Sequence, residues 1–315
     1  MAVLPISLPS LPSRSSFPLE SIIWNLAPDA TVGSALNSAT QRLKEAENDT
    51  AFLDAQVILA HVLGVDRPWL FAHGETELQP AHSQAFTELI ARRVDHEPVA
   101  YLIGRREFYG LELAVDKRVL IPRPETEMLV DEVLSEIEAR TSSGAESVNV
   151  ADIGTGSGAI ALAIAVNEPR ARIQAIDVSR KALAVARINV QRHDARNQVT
   201  LHQGNLLEPL TEPVDILVAN LPYISTREYA TLDPTVRSYE PRLALESGNE
   251  GLDAIAQLLR QANSHLAPRA TIYLEIGRDQ ALSVFKLAQN VLPRMRDIAL
   301  HQDYQGHDRM VVIVL

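Results

Sequence analysis

Two short stretches of the chain contain residue types suited to binding a small ligand and an amide nitrogen. The stretch ADIGTGSG contains three glycines, Gly154, Gly156 and Gly158. They let the backbone turn tightly and approach a ligand at the start of a helix. Asp177 follows about 20 residues later, where a carboxylate can accept hydrogen bonds from both hydroxyls of a ribose. VANLPYIS, residues 218–225, ends an apolar run with an amide, a proline and a tyrosine. Such a turn is also a common exit from a sheet, so its role depends on its neighbours.

Alternating strand and helix patterns predict the elements that position these two stretches. Strands are predicted at residues 148–153, 172–177, 199–203, 215–219, 271–276 and 309–315, and helices at 159–166, 179–192, 252–265 and 280–291. This alternation predicts βαβ units and a parallel sheet with helices on both faces. Ligands of such sheets bind beyond the carboxyl ends of strands, near the switch in strand order. We therefore expect the residues that follow strands one, two and four to face one crevice.

The spacing of the glycines distinguishes between two kinds of cofactor. Dinucleotide-binding loops have the pattern G-x-G-x-x-G, whereas this loop is G-x-G-x-G and follows an acid, Asp152. Such a loop resembles that of the class I methyltransferases, which bind S-adenosylmethionine and leave S-adenosylhomocysteine as the product. A pyrophosphate needs more helix-end donors than this short loop provides, while an adenosyl sulfonium needs none. The sequence therefore predicts an S-adenosylmethionine site, with NAD as the lesser alternative.

In that setting, residues 220–223 resemble the (D/N)-P-P-(Y/F) motif of enzymes that methylate an amide or amino nitrogen. A planar nitrogen is a poor nucleophile because its lone pair is delocalised, so it must be held in line with the S-methyl bond. The side-chain oxygen of Asn220 can accept one N–H of a substrate amide, and a backbone carbonyl of the turn can accept the other. Tyr223 can lie against the amide plane and favour the cationic methyl. No strong general base is needed, because the methylated cation loses its proton to water.

The second position of this motif departs from the usual pattern, since Leu221 stands where proline is common. The backbone carbonyl is retained, and Pro222 still favours an extended backbone at Leu221. What is lost is the fixed φ angle of a proline. We expect a slower or looser site, not an inactive one.

From about residue 32 to 315 the chain resembles the HemK/PrmC family. These are protein-(glutamine-N5) methyltransferases that modify the glutamine of the Gly-Gly-Gln motif in peptide chain release factors. Besides NLPYI, the resemblance rests on GRREFYGLELAV followed by LIPRPETE, on EPRLALESGNEGL and on LEIGRDQ. It implies a class I α/β fold with a mostly parallel seven-stranded sheet, a small helical amino-terminal domain and a release factor as the protein partner.

The resemblance also implies roles for individual residues. The implied cofactor-binding residues are Gly154, Thr155, Gly156, Ser157, Gly158, Asp177, Asn205, Leu206 and Asn220. The implied substrate-binding residues are Asn220, Leu221, Pro222, Tyr223 and Phe108, of which Asn220, Pro222 and Tyr223 are expected to be catalytic. Asn205 stands where the family often has an acid near the adenine, and its amide oxygen can still accept from the adenine amino group. Phe108 is equally well explained as a core aromatic of a hairpin, and Glu275 as a support of the sheet end.

The remaining patterns predict four segments. Residues 1–18 contain five Ser, four Pro and no acid, which predicts disorder. Helical periodicity over 19–97 predicts an all-helical domain, which the resemblance makes the release-factor-docking domain. Short β-branched and aromatic runs broken by glycine predict a β-hairpin connector over 98–122. Residues 123–315 then form the catalytic domain.

Composition excludes several classes of protein and site. The net charge of −11 and pI near 5.3 argue against a nucleic-acid-binding surface built from Lys and Arg. The first 100 residues carry 12 acids and 6 bases, which suits a basic protein partner better than bare nucleic acid. Without cysteine there is no thiolate nucleophile or disulfide, and the nine histidines lack metal-ligand spacing, so we expect no metal. No apolar run is long enough to span a bilayer. We expect a cytoplasmic monomer, with an organellar location as the alternative suggested by the acid-free start.

Two other functions remain open from the sequence. An adenine-N6 DNA or RNA methyltransferase uses a similar turn and flips the base out of its stack. That function predicts a basic groove and a target-recognition domain. The net negative charge and the small helical amino-terminal domain do not favour them. The departures at Leu221 and Asn205 also allow a non-catalytic relic that only docks on a release factor.

Overall fold

The computed structural model describes residues 24–315, so the disorder predicted for residues 1–18 lies outside the described residues. The amino-terminal part is helical: α1 Val32–Glu45, α2 Ala51–Leu63, α3 Arg67–Ala72 and α4 Pro80–Val94. Capping side chains define two of the starts, since Thr31 and Ser34 form a reciprocal box on α1 and Asp66 accepts from the Trp69 N–H on α3. The apolar faces of these helices share one buried cluster that includes Leu43, Ile58, Leu59, Phe86 and Ile90.

The connector consists of a short helix followed by the hairpin. Helix α5, Val99–Ile103, precedes strands β1, Arg105–Phe108, and β2, Leu111–Ala114, which pair antiparallel. The hairpin predicted within 98–122 is therefore present, but its first residues, VAYLI, are helical and not extended. Pro98 precedes this single turn, and Gly104, at φ +71°, ends it in the left-handed conformation that glycine favours.

The carboxyl-terminal part alternates helices and strands around one sheet. A 3₁₀ turn at Pro124–Thr126 leads into its helices: α6 Glu127–Ser142, α7 Ala159–Asn167, α8 Arg180–Arg192, α9 Thr226–Tyr229, α10 Pro234–Tyr239, α11 Asp253–His265 and α12 Ala281–Val291. Its strands are β3 Val148–Ile153, β4 Ala171–Asp177, β5 Val199–Gln203, β6 Val214–Ala219, β7 Leu266–Glu275, β8 Asp297–Gln302 and β9 Asp308–Val314. Within residues 24–315, no helix combines the length and apolarity that crossing a bilayer requires.

The sheet has seven strands in the order β5-β4-β3-β6-β7-β9-β8, and only β9 runs against the others. From β3 the chain first adds β4 and β5 on one side and then returns to add β6 on the other. The strand order therefore switches between β3 and β6, where open α/β sheets bind their ligands. Of these seven strands, β8 was missed from the residue pattern because it is an exposed edge strand with no buried side chain.

Two apolar layers cover the faces of the sheet. One contains side chains of α6, α7 and the hairpin against residues such as Val150, Ile173 and Val218. The other contains side chains of α11 and α12 against residues such as Leu217 and Ile272. Because β3 and β6 are covered on both sides, their backbone is fixed and their carboxyl ends form a rigid base for the loops that follow.

Candidate functional site

Three neighbouring strands end at the same level of the sheet. Ile153, near the end of β3, is paired with Ile176 of β4 on one side and with Ala219 of β6 on the other. The residues that follow these three positions are Gly154, Asp177 and Asn220. Strand register therefore brings the glycine loop, the acid and the amide-containing turn together, as the sequence predicted.

The glycine loop turns sharply over the end of β4. Gly154, Gly156 and Gly158 have φ angles of +75°, +57° and +84°, which glycine adopts without strain. The N–H groups of Gly154 and Thr155 both donate to the Ile176 carbonyl, at 2.9 and 3.0 Å. A Cβ atom on Gly154 would lie 3.1 Å from Cδ2 of Leu221, so the lack of a side chain lets the two loops approach each other.

Asp177 joins the glycine loop to the start of α8. One carboxylate oxygen accepts from the Gly156 N–H at 2.9 Å and the other from the Ser179 N–H at 2.8 Å. Burial raises the pKa of Asp177, while these two bonds act in the opposite direction. Each carboxylate oxygen has a further lone pair, so Asp177 can hold its own loop and still accept from a ribose hydroxyl.

Hydrogen bonds to buried side chains hold the rest of the glycine loop. Thr155 Oγ1 donates to Asp152 at 2.6 Å, and burial raises the pKa of Asp152 to about 6. The Ser157 carbonyl accepts from Nδ2 of Asn189, at 2.9 Å, and Gly158 begins α7. Thr155, Ser157 and Gly158 do not line the cavity described next. They shape the loop, and the contact with the cofactor that the sequence predicted for them stays a prediction.

A cavity of about 220 Å³ opens above the ends of these strands. Its lining includes Gly154, Gly156, Asp177, Asn205, Leu206, Asn220, Leu221 and Pro222, together with apolar side chains such as Ile153, Ile176 and Leu243. Asn205 donates its Nδ2 to Glu208 at 3.1 Å, which leaves its Oδ1 as the acceptor for a ligand. The cavity thus combines one acid, amide acceptors and an apolar wall, a composition typical of small-molecule sites.

The turn Asn220–Tyr223 is fixed by contacts with distant segments. Gln280 Nε2 donates to the Tyr223 carbonyl at 2.8 Å, and the Ile224 N–H donates to the Leu245 carbonyl at 2.9 Å. Gly251, at φ +70°, passes so close that a Cβ there would lie 2.2 Å from the Tyr223 carbonyl oxygen. Leu221 is buried against the sheet and fills the space next to Gly154.

A chain of hydrogen bonds orients the Asn220 amide. Asn220 Nδ2 donates to Thr126 Oγ1 at 3.0 Å, and Thr126 Oγ1 donates to Glu275 Oε2 at 2.6 Å. Tyr223 donates its hydroxyl to the other carboxylate oxygen at 3.3 Å. Burial raises the pKa of Glu275, opposed by the Thr126 bond and the positive charge of Arg309. Burial, and then the charge of Glu275, raises the pKa of Tyr223, so its hydroxyl retains its proton.

Comparisons with known proteins identify the family. A model of the PrmC N-terminal domain matches residues 34–104, and a model of the methyltransferase small domain matches residues 126–237. A release factor glutamine methyltransferase from Moorella thermoacetica is 43% identical over 280 residues, which cover 89% of this chain and 96% of the relative. One from Xylella fastidiosa strain Temecula1 is 40% identical over 278 residues, covering 88% and 95%.

The chain belongs to the release factor glutamine methyltransferase family. The HemK/PrmC resemblance seen in the sequence is thereby confirmed. A solved structure of the hMettl16 catalytic domain, in complex with a MAT2A 3′UTR hairpin, is similar with a TM-score of 0.53 and 15% identity. The match covers 72% of this chain and 81% of that one. At that identity the likeness shows the fold alone, and it agrees with the predicted class I methyltransferase architecture.

In this member of the release factor glutamine methyltransferase family, two of the predicted substrate-binding residues do not line the cavity. Phe108 is 1% exposed and belongs to the apolar cluster that also contains Leu113 and Leu129. This position accounts for it as a hairpin core aromatic, and its contact with a substrate glutamine stays a prediction. Tyr223 is half-buried with its hydroxyl on Glu275, so stacking of its ring on a substrate amide also stays a prediction.

Three residues that fix the site were missed from the sequence. Thr126 and Gln280 lie within LIPRPETE and LEIGRDQ, two of the stretches that carried the family resemblance, so the signal was present but had no assigned role. Asn189 is a helix residue with no neighbouring motif, and only the structure reveals its contact with the glycine loop. Among residues 24–315, no cluster of three or more acids or histidines is arranged to hold a metal ion.

Proposed function

We propose that this protein transfers a methyl group from S-adenosylmethionine to the side-chain amide nitrogen of the glutamine in the Gly-Gly-Gln motif of a peptide chain release factor. The observation that carries the proposal is the position of Asn220. It follows β6 directly, lines the same cavity as Gly154 and Asp177, and has its amide nitrogen bonded to the protein. Its oxygen is therefore the end left to receive a substrate N–H.

The residues around the cavity fit S-adenosylmethionine, which supplies an activated methyl group when bound. Asp177 offers acceptors for the ribose hydroxyls, and Asn205 offers an amide oxygen beside the apolar side chain of Leu206. The loop at Gly154 and Gly156 admits a ligand close to its backbone because neither residue has a side chain. A ligand without a pyrophosphate can use all of these groups, as the G-x-G-x-G spacing of the glycines predicted.

The turn supplies the means to hold a flat amide. Asn220 Oδ1 accepts one N–H of the substrate, and a backbone carbonyl of residues 220–222 accepts the other. Both acceptors are held by contacts made before the substrate arrives, so little ordering remains when it binds. Leu221 keeps the carbonyl that a proline would provide, and its buried side chain holds the backbone in place of a ring.

We assign docking of the release factor to the helical part, which the PrmC N-terminal domain model matches. Phe52 and Phe71 form an edge-to-face pair there, with ring centroids 6.4 Å apart, and are 47% and 60% exposed. Exposed aromatic pairs in an acidic setting suit a basic protein surface better than a phosphate backbone. We therefore propose no direct contact with nucleic acid, and the names of the relatives do not favour an adenine methyltransferase.

Labelled methyl transfer tests this function. The protein is incubated with S-adenosylmethionine carrying a labelled methyl group and with one of three substrates: a release factor, the same factor with alanine at the motif glutamine, or double-stranded DNA. We expect label on the unaltered release factor alone. Label on DNA, or equal label on the alanine-substituted factor, would reject the proposal.

A further inference from the structure

We propose that Thr126 and Glu275 are positioning residues that fix which end of the Asn220 amide faces the substrate. This inference rests on the proposed function and deepens it, because it concerns how the acceptor for the glutamine N–H is set. Neither residue lines the cavity, and both are buried behind Asn220, at 4% and 1% exposure. Their side chains connect the turn after β6 to the start of α6 and the end of β7.

The direction of the two hydrogen bonds carries the inference. Both hydroxyls that contact Glu275, those of Thr126 and Tyr223, donate to its carboxylate oxygens, one to each. Thr126 has one hydroxyl proton, and at 2.6 Å it is committed to Glu275. Its oxygen then offers only lone pairs to Asn220, so the NH₂ end of that amide must face it.

The opposite orientation of the amide would be unproductive. With Oδ1 turned towards Thr126, two sets of lone pairs would oppose each other at 3.0 Å, the distance that now joins Nδ2 and Oγ1. The NH₂ group would then point into the cavity, where a substrate NH₂ also offers only donors. An asparagine amide has the same shape in either orientation, so packing alone does not choose between them. Glu275 sets the orientation of the Asn220 amide, because it accepts the Thr126 proton and leaves Thr126 only lone pairs to offer Asn220.

This arrangement also explains the placement of three sequence stretches. Thr126 comes from LIPRPETE, Asn220 from NLPYI and Glu275 from LEIGRDQ, and they are separated by 94 residues in one bond and 149 in the other. Burial raises the pKa of Glu275, and the positive charge of Arg309 of β9 opposes that rise. Tyr223 and Glu125 are the other ionisable groups facing Glu275.

The test compares Thr126→Val, which keeps the shape but removes the hydroxyl, with Thr126→Ser, which keeps the hydroxyl. Methylation of a release factor is measured at saturating S-adenosylmethionine, and cofactor affinity by calorimetry. We expect the valine variant to lower kcat by about 10- to 100-fold, since the acceptor is misdirected. We expect serine to restore most of the rate and the cofactor Kd to be unchanged in both. Thermal unfolding of each variant checks that the fold is retained.

A second comparison separates positioning from general support of the structure. If Thr126 acts only through Asn220, Thr126→Val causes no further loss of kcat in a chain that already carries Asn220→Ala. Glu275→Gln, whose amide can donate as well as accept, should lower kcat as the valine variant does. Full, additive loss in the double variant, or wild-type rates in Thr126→Val and Glu275→Gln, would overturn the inference. A wild-type chain that methylates no release factor would overturn the proposed function first, and this inference with it.

Discussion

At the scale of single residues, the site depends on polar atoms whose partners are already assigned. Asp177 uses one lone pair of each carboxylate oxygen on the protein backbone and keeps the others for a ligand. Asn220 uses its nitrogen on Thr126 and keeps its oxygen. The sequence identified both residues because Asp177 ends one predicted strand and Asn220 directly follows another. It did not identify Thr126, since the direction of a hydrogen bond to a residue 94 positions away has no local signature.

Replacing Asn220 by alanine should remove the acceptor for the substrate N–H. We expect kcat/KM for the release factor to fall by about 100-fold or more, because an unheld planar amide is a poor nucleophile. Cofactor affinity should change much less, since Asp177 and the glycine loop remain. Steady-state kinetics and calorimetry measure the two quantities. Retention of wild-type kcat/KM would show that Asn220 does not hold the amide.

The affinity for S-adenosylmethionine should depend on pH through Asp177. Burial raises the pKa of this carboxyl, so it gains a proton at a higher pH than an ordinary aspartate. Because the protonated acid accepts more weakly, we expect the cofactor Kd to increase as pH falls on the acid side of neutrality. Calorimetry across this range should show a shallower dependence of Kd on pH in Asp177→Asn than in the wild-type protein. If Kd changes with pH by the same amount in both proteins, a group other than Asp177 causes the pH dependence.

At the scale of elements, strand register places the site and remote loops fix it. Six of the seven strands of the sheet were predicted, and two of them, β3 and β5, have the predicted bounds. Buried strands are continuous apolar runs and are easily recognised in sequence. The edge strand β8 was not predicted because it lacks buried residues. The helix α5 was not predicted because it is a single turn between Pro98 and Gly104.

The close approach of Gly251 to the turn gives a prediction about elements. A Cβ at Gly251 would lie 2.2 Å from the Tyr223 carbonyl oxygen, so Gly251→Ala should displace the turn and lower kcat by at least about 10-fold. Gly306→Ala is the matched control, because Gly306 has a similar φ of +79° but no atom within 4 Å of its Cβ position. Both variants are compared by kinetics and thermal unfolding. Equal loss in the two would mean that backbone strain, and not displacement of the turn, is responsible.

At the scale of the whole molecule, side-chain bonds tie the hairpin to the catalytic part. Asn189 of α8 is fully buried and bonds with the Ala114 N–H, the Ala114 carbonyl and the Ser157 carbonyl. Tyr239 donates to the Asp95 carbonyl beyond α4, and Tyr101 of α5 packs with Ala182 and Val185 of α8. The sequence could predict each part from its periodicity. It could not predict these contacts, because they join residues far apart in the chain that have no local signature.

Loss of the Asn189 side chain should destabilise the molecule. Asn189→Ala leaves three backbone groups without this partner, and we expect the free energy of unfolding to fall by roughly 2–4 kcal/mol. Asn167→Ala, which removes one bond on an exposed helix end, should change it by less than about 0.5 kcal/mol. Denaturant unfolding measures both. Similar values for the two variants would show that Asn189 does not link the parts.

The mass of the release factor peptide that contains the Gly-Gly-Gln motif tests the proposed methyl transfer most directly. The factor is incubated with the protein and S-adenosylmethionine, digested and analysed with fragmentation that locates any added mass. We expect a gain of one methylene unit on the glutamine side chain with the wild-type protein, and a much smaller modified fraction with Asn220→Ala after the same reaction time. An unmodified glutamine, in a reaction where the cofactor is shown to be bound, would contradict it.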